Sequence, residues 1–210
     1  MPNFEIENNL VGTVAGIDEA GRGPLCGPVY AACVLLDRNN FPKNINDSKK
    51  ISEVKREIIF KEITEFSDNN LLFYGVGSVD AVTIDNINIR NATKLAMKLA
   101  YENFIVKYHN YYNNISNIDN VIVDGDFTPE INAKNLIAVV RGDQKSYSIA
   151  CASIIAKVSR DHELKKMDLL YPQYDWLNNK GYGTKKHIEA IKEYGLVENY
   201  HRKTFCHFDK

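Results

Sequence analysis

Apolar runs and polar breaks divide the chain into short strand-like and longer helix-like segments. Residues 11–17 form a short apolar run that ends in charged residues, and residues 28–36 are apolar almost throughout. Both are predicted as buried strands. The turn between them holds Gly21, Gly23, Pro24 and Gly27, and so short a connection favours an antiparallel pair. After a polar loop at 44–50, Ser52 is placed to cap a helix whose periodicity runs over 55–66. Residues 71–79 alternate and predict a third strand, with Asp80 positioned to cap the next segment.

Residues 89–108 make the clearest amphipathic helix, with Leu95, Leu99, Phe104 and Tyr108 near one face. The Asn-rich stretch 110–120 is predicted as a loop, and 121–123 and 136–140 as strands. A long helix over 149–170 opens with Ala150, Ala152, Ser153 and Ala156, small residues that suit close packing on a sheet, and Pro172 ends it. Gly181 and Gly183 then precede a helix near 185–194 and a polar tail. Antiparallel strands come first and helix-crossed strands later, which predicts an α/β chain with a mixed sheet flanked by helices.

Composition adds bounds. The chain has 210 residues, 44% of them hydrophobic and 25% charged, enough for one domain, or one with an appendage, to bury a core without staples. The net charge of −1 does not by itself suggest a nucleic-acid partner. A metal site built from carboxylates, however, adds negative charge that bound cations neutralise. Basic pairs occur at Lys49–Lys50, Lys55–Arg56, Lys185–Lys186 and Arg202–Lys203. A solvated surface explains any one of them unless it lies beside a site.

The four cysteines, Cys26, Cys33, Cys151 and Cys206, form no C-x-x-C pair, which disfavours zinc. Cys33 and Cys151 read as small core hydrophobes. Residues 1–9 are polar and acidic rather than a signal peptide, and no apolar run is long enough to span a membrane. A reduced, cytoplasmic protein without a membrane contact is the expectation.

The candidate chemistry sits at strand ends. Asp18–Glu19 follows the first predicted strand, Asp124 follows 121–123, and Asp143 comes shortly after Val140. A single Asp in such a place is more often a turn residue. Carboxylates at several strand ends of one α/β sheet instead point to a shared crevice. Such a cluster repels itself and needs cations; its hard oxygens suit Mg²⁺ or Mn²⁺. Two such ions about 4 Å apart stabilise the attacking and leaving oxygens of a phosphoryl displacement.

The segment from Gly16 to Val29, GIDEAGRGPLCGPV, makes this specific. It resembles the signature of the type 2 ribonucleases H (ribonuclease HII). The resemblance continues in Asn46-Asp-Ser-Lys-Lys50, Val123-Asp-Gly125, Gly142-Asp143, the run from Ser148 to Val158, Arg160-Asp161, Gly181-Tyr-Gly-Thr184 with His187, and His201-Arg202, in the family's order and over nearly the whole chain.

The resemblance implies an RNase H-like mixed five-stranded sheet flanked by helices, with a catalytic domain over 1–170 and a small C-terminal helical, substrate-binding extension over 171–210. It implies metal ligands and catalytic groups at Asp18, Glu19, Asp124 and Asp143, with Mg²⁺ or Mn²⁺ as cofactor. It implies hydrolysis on the 5′ side of ribonucleotides, in RNA·DNA hybrids and at single ribonucleotides within duplex DNA, leaving 3′-hydroxyl and 5′-phosphate ends. A monomer is expected, and recruitment by a replication clamp is left open.

Gly21 and Gly23 let the backbone approach the substrate, where amides can contact a 2′-hydroxyl, or they simply build a tight turn. Arg22 can reach a phosphate. Tyr182 matches the family tyrosine that stacks near the junction, although by itself it would read as a packed surface aromatic. Ser48, Lys49 and Lys50, with Lys185 and Arg202, are the remaining candidate substrate contacts. Ser148 and Ser153 are placed to support the region of Asp143. His187 and His201 match family motifs and read equally as satisfied structural histidines. Thr204, where the family more often has serine, and the tail after Phe205 depart from the pattern. The related type 3 enzymes carry lysine in place of Arg22. A non-cleaving nucleic-acid-binding protein on the same fold, or another metal nuclease of that fold, are the rival readings. The first requires a lost ligand carboxylate, and the second requires cleavage of DNA without ribose.

Overall fold

The computed structural model describes residues 1–46, 48, 51–113 and 118–207. A short helix α1 (Glu5–Asn8) leads into β1 (Val14–Ala20) and β2 (Val29–Leu36). Then come α2 (Glu53–Asp68), β3 (Leu72–Val79), α3 (Ala81–Tyr112), β4 (Asn120–Asp124), β5 (Asn135–Val139) and α4 (Tyr147–Leu170). The C-terminal part holds α5 (Trp176–Asn179) and α6 (Lys185–Tyr194). The five strands form one mixed sheet in the order β3-β2-β1-β4-β5. β1, β2 and β3 pair antiparallel, as the short glycine turn requires, whereas β4 and β5 run parallel to β1 after their crossovers.

Helices cover both faces of the sheet. Alternate strand residues divide accordingly: Ile17, Val29, Ala31 and Cys33 pack with α3, while Ala32, Val34 and Leu36 pack with α2 and α4. Cys33 and Cys151 are both fully buried in these cores. The small residues that open α4 do bring it close to the sheet, because a side chain at Gly16 would run into the backbone of Ser148 and Ile149. Gly75 and Gly77 serve α3 in the same way. The buried centre of α3 is therefore Ala92, Ala96 and Ala100 with Met97 and Phe104. Leu95, Leu99 and Tyr108 flank that strip and are only partly buried.

Several boundaries move. β1 begins at Val14 rather than residue 11: Val11 is exposed, and Gly12 turns the chain at φ 90°. Asp18 and Glu19 thus lie inside the strand rather than just after it. α3 starts at Ala81, capped by the Asp80 carboxylate through the Thr83 amide. It breaks at Asn88 (φ 63°), whose side chain accepts from the Asn91 amide and restarts the helix. Its end at Tyr112 overrides the loop expected there. Ser52 caps α2 as predicted, and Ser146 and Thr184 cap α4 and α6, each cap contributing about 1 kcal/mol. Beyond α4, Tyr174, Trp176, Ala190 and Ile191 build a small core of their own on Leu164 and Met167 of that helix and on Cys26 of the glycine turn. Among the described residues no helix is long and apolar enough to cross a membrane.

Candidate active site

Strand register brings the acidic residues together. Ile17 of β1 lies beside Val123 of the parallel β4, so Asp18 and Asp124, each the next residue, leave the same end of adjacent strands. Asp124 in turn pairs with Val139 of β5. The chain then turns through Arg141 at φ 57°, and the Gly142 amide donates to Asp124 Oδ1. Gly142 is needed there, since a Cβ would press on the Ile149 side chain and on Asp124 Oδ1. That contact sets Asp143 next to Asp124.

Asp18, Glu19 and Asp124 line one cleft of about 490 Å³. Asp143 is buried beside it, only 2% exposed, and does not form its surface. The Asp18 carboxyl titrates well above the usual carboxylate range, chiefly because it is buried and further because Glu19 and Asp124 are negative. Hydrogen bonds from the Ser153 hydroxyl and the Glu19 amide offset this in part. Arg22 lies 3.5 Å from Glu19, but its side chain is 44% exposed and solvent screens it.

Among the described residues no three His, Cys, Asp or Glu side chains form a ready-made metal cage. The donors are nevertheless all carboxylate oxygens with too little positive charge around Asp18, and that chemistry fits a hard divalent cation. Asp18, Glu19 and Asp124 would hold it, with Asp143 adjacent.

The same cleft is lined by Gly21, Arg22, Gly23 and Tyr182. Tyr182 is half exposed, and its ring edge lies 3.4 Å from where a Cβ on Gly23 would stand. Ser48 also reaches the cleft, but its hydroxyl is buried against that of Ser153 at 2.8 Å. Lys49 and Lys50 lie outside the described residues. Four cations unforeseen as site residues also line the cleft: Arg56, Lys157, Arg160 and Lys180. Arg56 donates to the carbonyls of Ser48 and Ile51, Lys157 pairs with Asp161, and Lys180 pairs with Glu53. Arg56 belongs to one of the basic pairs, and Lys157 falls in the 148–158 motif, so their types were visible although their positions were not.

Other expectations are corrected. Arg202 is fully buried. Its Nε donates to Gly27 O, its Nη1 to Arg22 O and Pro24 O, and its Nη2 to Gly21 O and Gly27 O. All of its nitrogens face protein backbone, which leaves no face for a phosphate. Lys185 starts α6 outside the cleft, with its side chain exposed beside Glu189. Ser153 donates to Asp18, and the Ser148 amide donates to Glu7.

His187 and His201 turn out to be structural. The Val197 amide donates to His201 Nδ1, so the His201 proton sits on Nε2 and is directed at His187 Nε2, 3.1 Å away. His187 Nε2 also accepts from the Trp176 indole, and its Nδ1–H donates to Tyr182 O. Burial lowers both pKa values, that of His201 to about 4. The pair thereby anchors the backbone of Tyr182.

A family model described as Ribonuclease HII matches residues 15–208. The chain is 48% identical over 206 residues to a Ribonuclease HII of Caldicellulosiruptor saccharolyticus, covering 96% of this chain and 93% of that protein. It is 42% identical to a Ribonuclease HII of Wolbachia pipientis wMel, covering 98% and 96%. Among solved structures, ribonuclease H2 from Pyrococcus horikoshii OT3 superposes with a TM-score of 0.66 at 27% identity, over 91% of this chain and 93% of that one.

Proposed function

The chain belongs to the ribonuclease HII family, a type 2 ribonuclease H and thus a hydrolase, and from that premise we propose which bond it cuts and how. The substrate is duplex nucleic acid containing ribose, either an RNA·DNA hybrid or DNA with a single embedded ribonucleotide. The cut falls on the 5′ side of the ribonucleotide and leaves 3′-hydroxyl and 5′-phosphate ends. The observation that carries this reading is that one cleft is lined both by the carboxylates of adjacent strands and by a glycine–arginine–glycine turn with a half-exposed tyrosine.

Each group has a part that its chemistry suits. Asp18 and Asp124, side by side on β1 and β4, hold divalent cations, with Glu19 and Asp143 completing the carboxylate set. Bound Mg²⁺ or Mn²⁺ supplies the positive charge that makes water nucleophilic at neutral pH and stabilises the leaving 3′-oxygen. Ser153 keeps Asp18 oriented through its hydroxyl. The backbone of Gly21–Gly23 approaches the minor groove closely enough for its amides to meet the 2′-hydroxyl, the group that separates RNA from DNA. Tyr182 offers a ring face on which the sugar or base at the junction rests. Arg22, Arg56, Lys157 and Lys180 line the same cleft and supply positive charge toward the phosphates. Removal of ribonucleotides from DNA in the cytoplasm is the task this activity suits.

The test is cleavage of a labelled DNA duplex carrying one ribonucleotide, incubated with Mg²⁺, Mn²⁺ or a chelator. We expect a single cut 5′ to the ribonucleotide with either ion, none with chelator, and none in the matched all-DNA duplex. Cutting of the all-DNA duplex, or an intact ribose-containing duplex under every condition, overturns the reading.

A further inference from the structure

Two buried arginines converge on the glycine turn from behind. Arg202, from the C-terminal segment, takes the carbonyls of Gly21, Arg22, Pro24 and Gly27. Arg160, on α4, donates from Nε to Pro28 O, from Nη2 to Cys26 O and from Nη1 to Lys180 O. Six carbonyls between Gly21 and Pro28 thus point into two guanidiniums, each 1% exposed or less. In a planar trans peptide the carbonyl and the following amide point opposite ways. Drawing Gly21 O and Arg22 O inward therefore turns the amides of Arg22 and Gly23 outward, on the side where these residues line the cleft.

The same device reaches the facing loop. Lys180 O, bound by Arg160, lies two residues before Tyr182, and Leu25 N donates to Gly181 O. Gly181 sits so near Cys26 O that a Cβ there would collide with it. From the far side His187 holds Tyr182 O. The two segments that meet the ribose are joined to each other through Arg160, and the turn is fastened to the C-terminal segment through Arg202.

We propose that Arg160 and Arg202 are positioning residues that set ribose selectivity, by fixing the orientation of the glycine-turn amides and their spacing from Tyr182. The proposal rests on the functional reading above, that this turn and Tyr182 meet the 2′-hydroxyl. Arg202 lies outside the cleft, and Arg160, at its edge, is 1% exposed with its guanidinium nitrogens taken up by carbonyls, so both act through the turn. A guanidinium presents five N–H donors in a fixed fork, which lysine cannot reproduce, so Arg→Lys keeps the charge and removes the geometry.

Arg202→Lys and Arg160→Lys are compared with the unaltered enzyme in four measurements. These are kcat and KM on the single-ribonucleotide duplex, Kd for the matched all-DNA duplex by anisotropy, Mn²⁺ binding by calorimetry, and hydrogen exchange of the peptide spanning 20–28. We expect kcat/KM on the ribose-containing duplex to fall at least tenfold, with the all-DNA Kd and the Mn²⁺ affinity within about twofold. Exchange in 20–28 should rise while β1 and β4 stay protected. Equal weakening toward both duplexes, or unchanged selectivity in either folded variant, overturns the proposal. If Arg202→Lys does not fold, Arg160→Lys decides, because it leaves the Arg202 bonds in place. An unaltered enzyme without ribose preference would instead refute the functional reading; preference kept by the variants refutes the clamp alone.

Discussion

On one wall of the cleft Asp18 is buried beside Glu19 and Asp124, and desolvation with like charge drives its carboxyl well up. Behind the glycine turn Arg202 is buried at least as deeply, and desolvation brings its guanidinium down only to about 10, so it stays charged at neutral pH. The difference lies in the donors and acceptors each charge finds. Arg202 has a carbonyl oxygen for every nitrogen, and those dipoles stand in for water. Asp18 receives hydrogen bonds from Ser153 and its neighbour's amide but faces two further carboxylates. A buried charge is structural where the fold satisfies it, and a site for something else where the fold leaves it short. On the proposed reading the acidic cluster is completed by cations from solution, whereas Arg202 is satisfied within the chain.

Asp18→Asn tests that contrast most severely. Removing one carboxylate from the acidic wall should lower cleavage of the single-ribonucleotide duplex by about three orders of magnitude or more, a loss on the order of 4 kcal/mol in transition-state stabilisation. The same change relieves repulsion, so the metal-free variant should melt no lower than the parent. Mn²⁺ at a hundredfold excess over its Kd should stabilise the parent by about 2.7 kcal/mol and the variant by much less. Thermal melts with and without Mn²⁺ read both; a variant that melts well below the parent without metal would show that Asp18 is a structural charge after all.

Acid should loosen the C-terminal segment by an intermediate amount. His201 is 2% exposed and titrates at about 4 in the fold, against about 6.5 for an unperturbed histidine. The unfolded chain therefore takes up the proton first. The stability from neutral His201 is complete above about pH 6.5, falls as pH drops toward 4, and changes no further below that. The loss is roughly 3 kcal/mol. Denaturant melts across this range should show the slope, and His201→Asn should flatten it. An unchanged slope in the variant would assign the acid sensitivity to other groups.

Tyr182→Ala should have the smallest effect. The side chain is half exposed and its anchoring bonds are made by backbone, so stability should stay within about 0.5 kcal/mol. Cleavage at a single ribonucleotide should fall about tenfold, consistent with loss of one stacking contact. A large drop in melting temperature would mean that Tyr182 packs as part of the wall rather than standing free on it.

Much of this was legible along the chain. The apolar runs located all five strands, and Ser52 and Asp80 marked two helix starts. The four acidic residues stood out because each followed or ended an apolar run. The alanine centre of α3 was less visible, because a helix packed on Gly75 and Gly77 buries small residues and leaves its larger ones at the margin. Arg202 was the largest misreading. A charged residue in a basic pair near the C-terminus reads as surface, and nothing local indicates that six carbonyls of the glycine turn await two arginines.

The order of apolar and polar residues thus determined the elements and the antiparallel start of the sheet, because those depend on neighbours within a few positions. Tertiary structure alone decided which charges are met by backbone and which are left among like charges. Burial and hydrogen-bond partners come from segments as much as 181 residues apart, as between Gly21 and Arg202, and a charge's free energy depends on those partners rather than on its place in the chain.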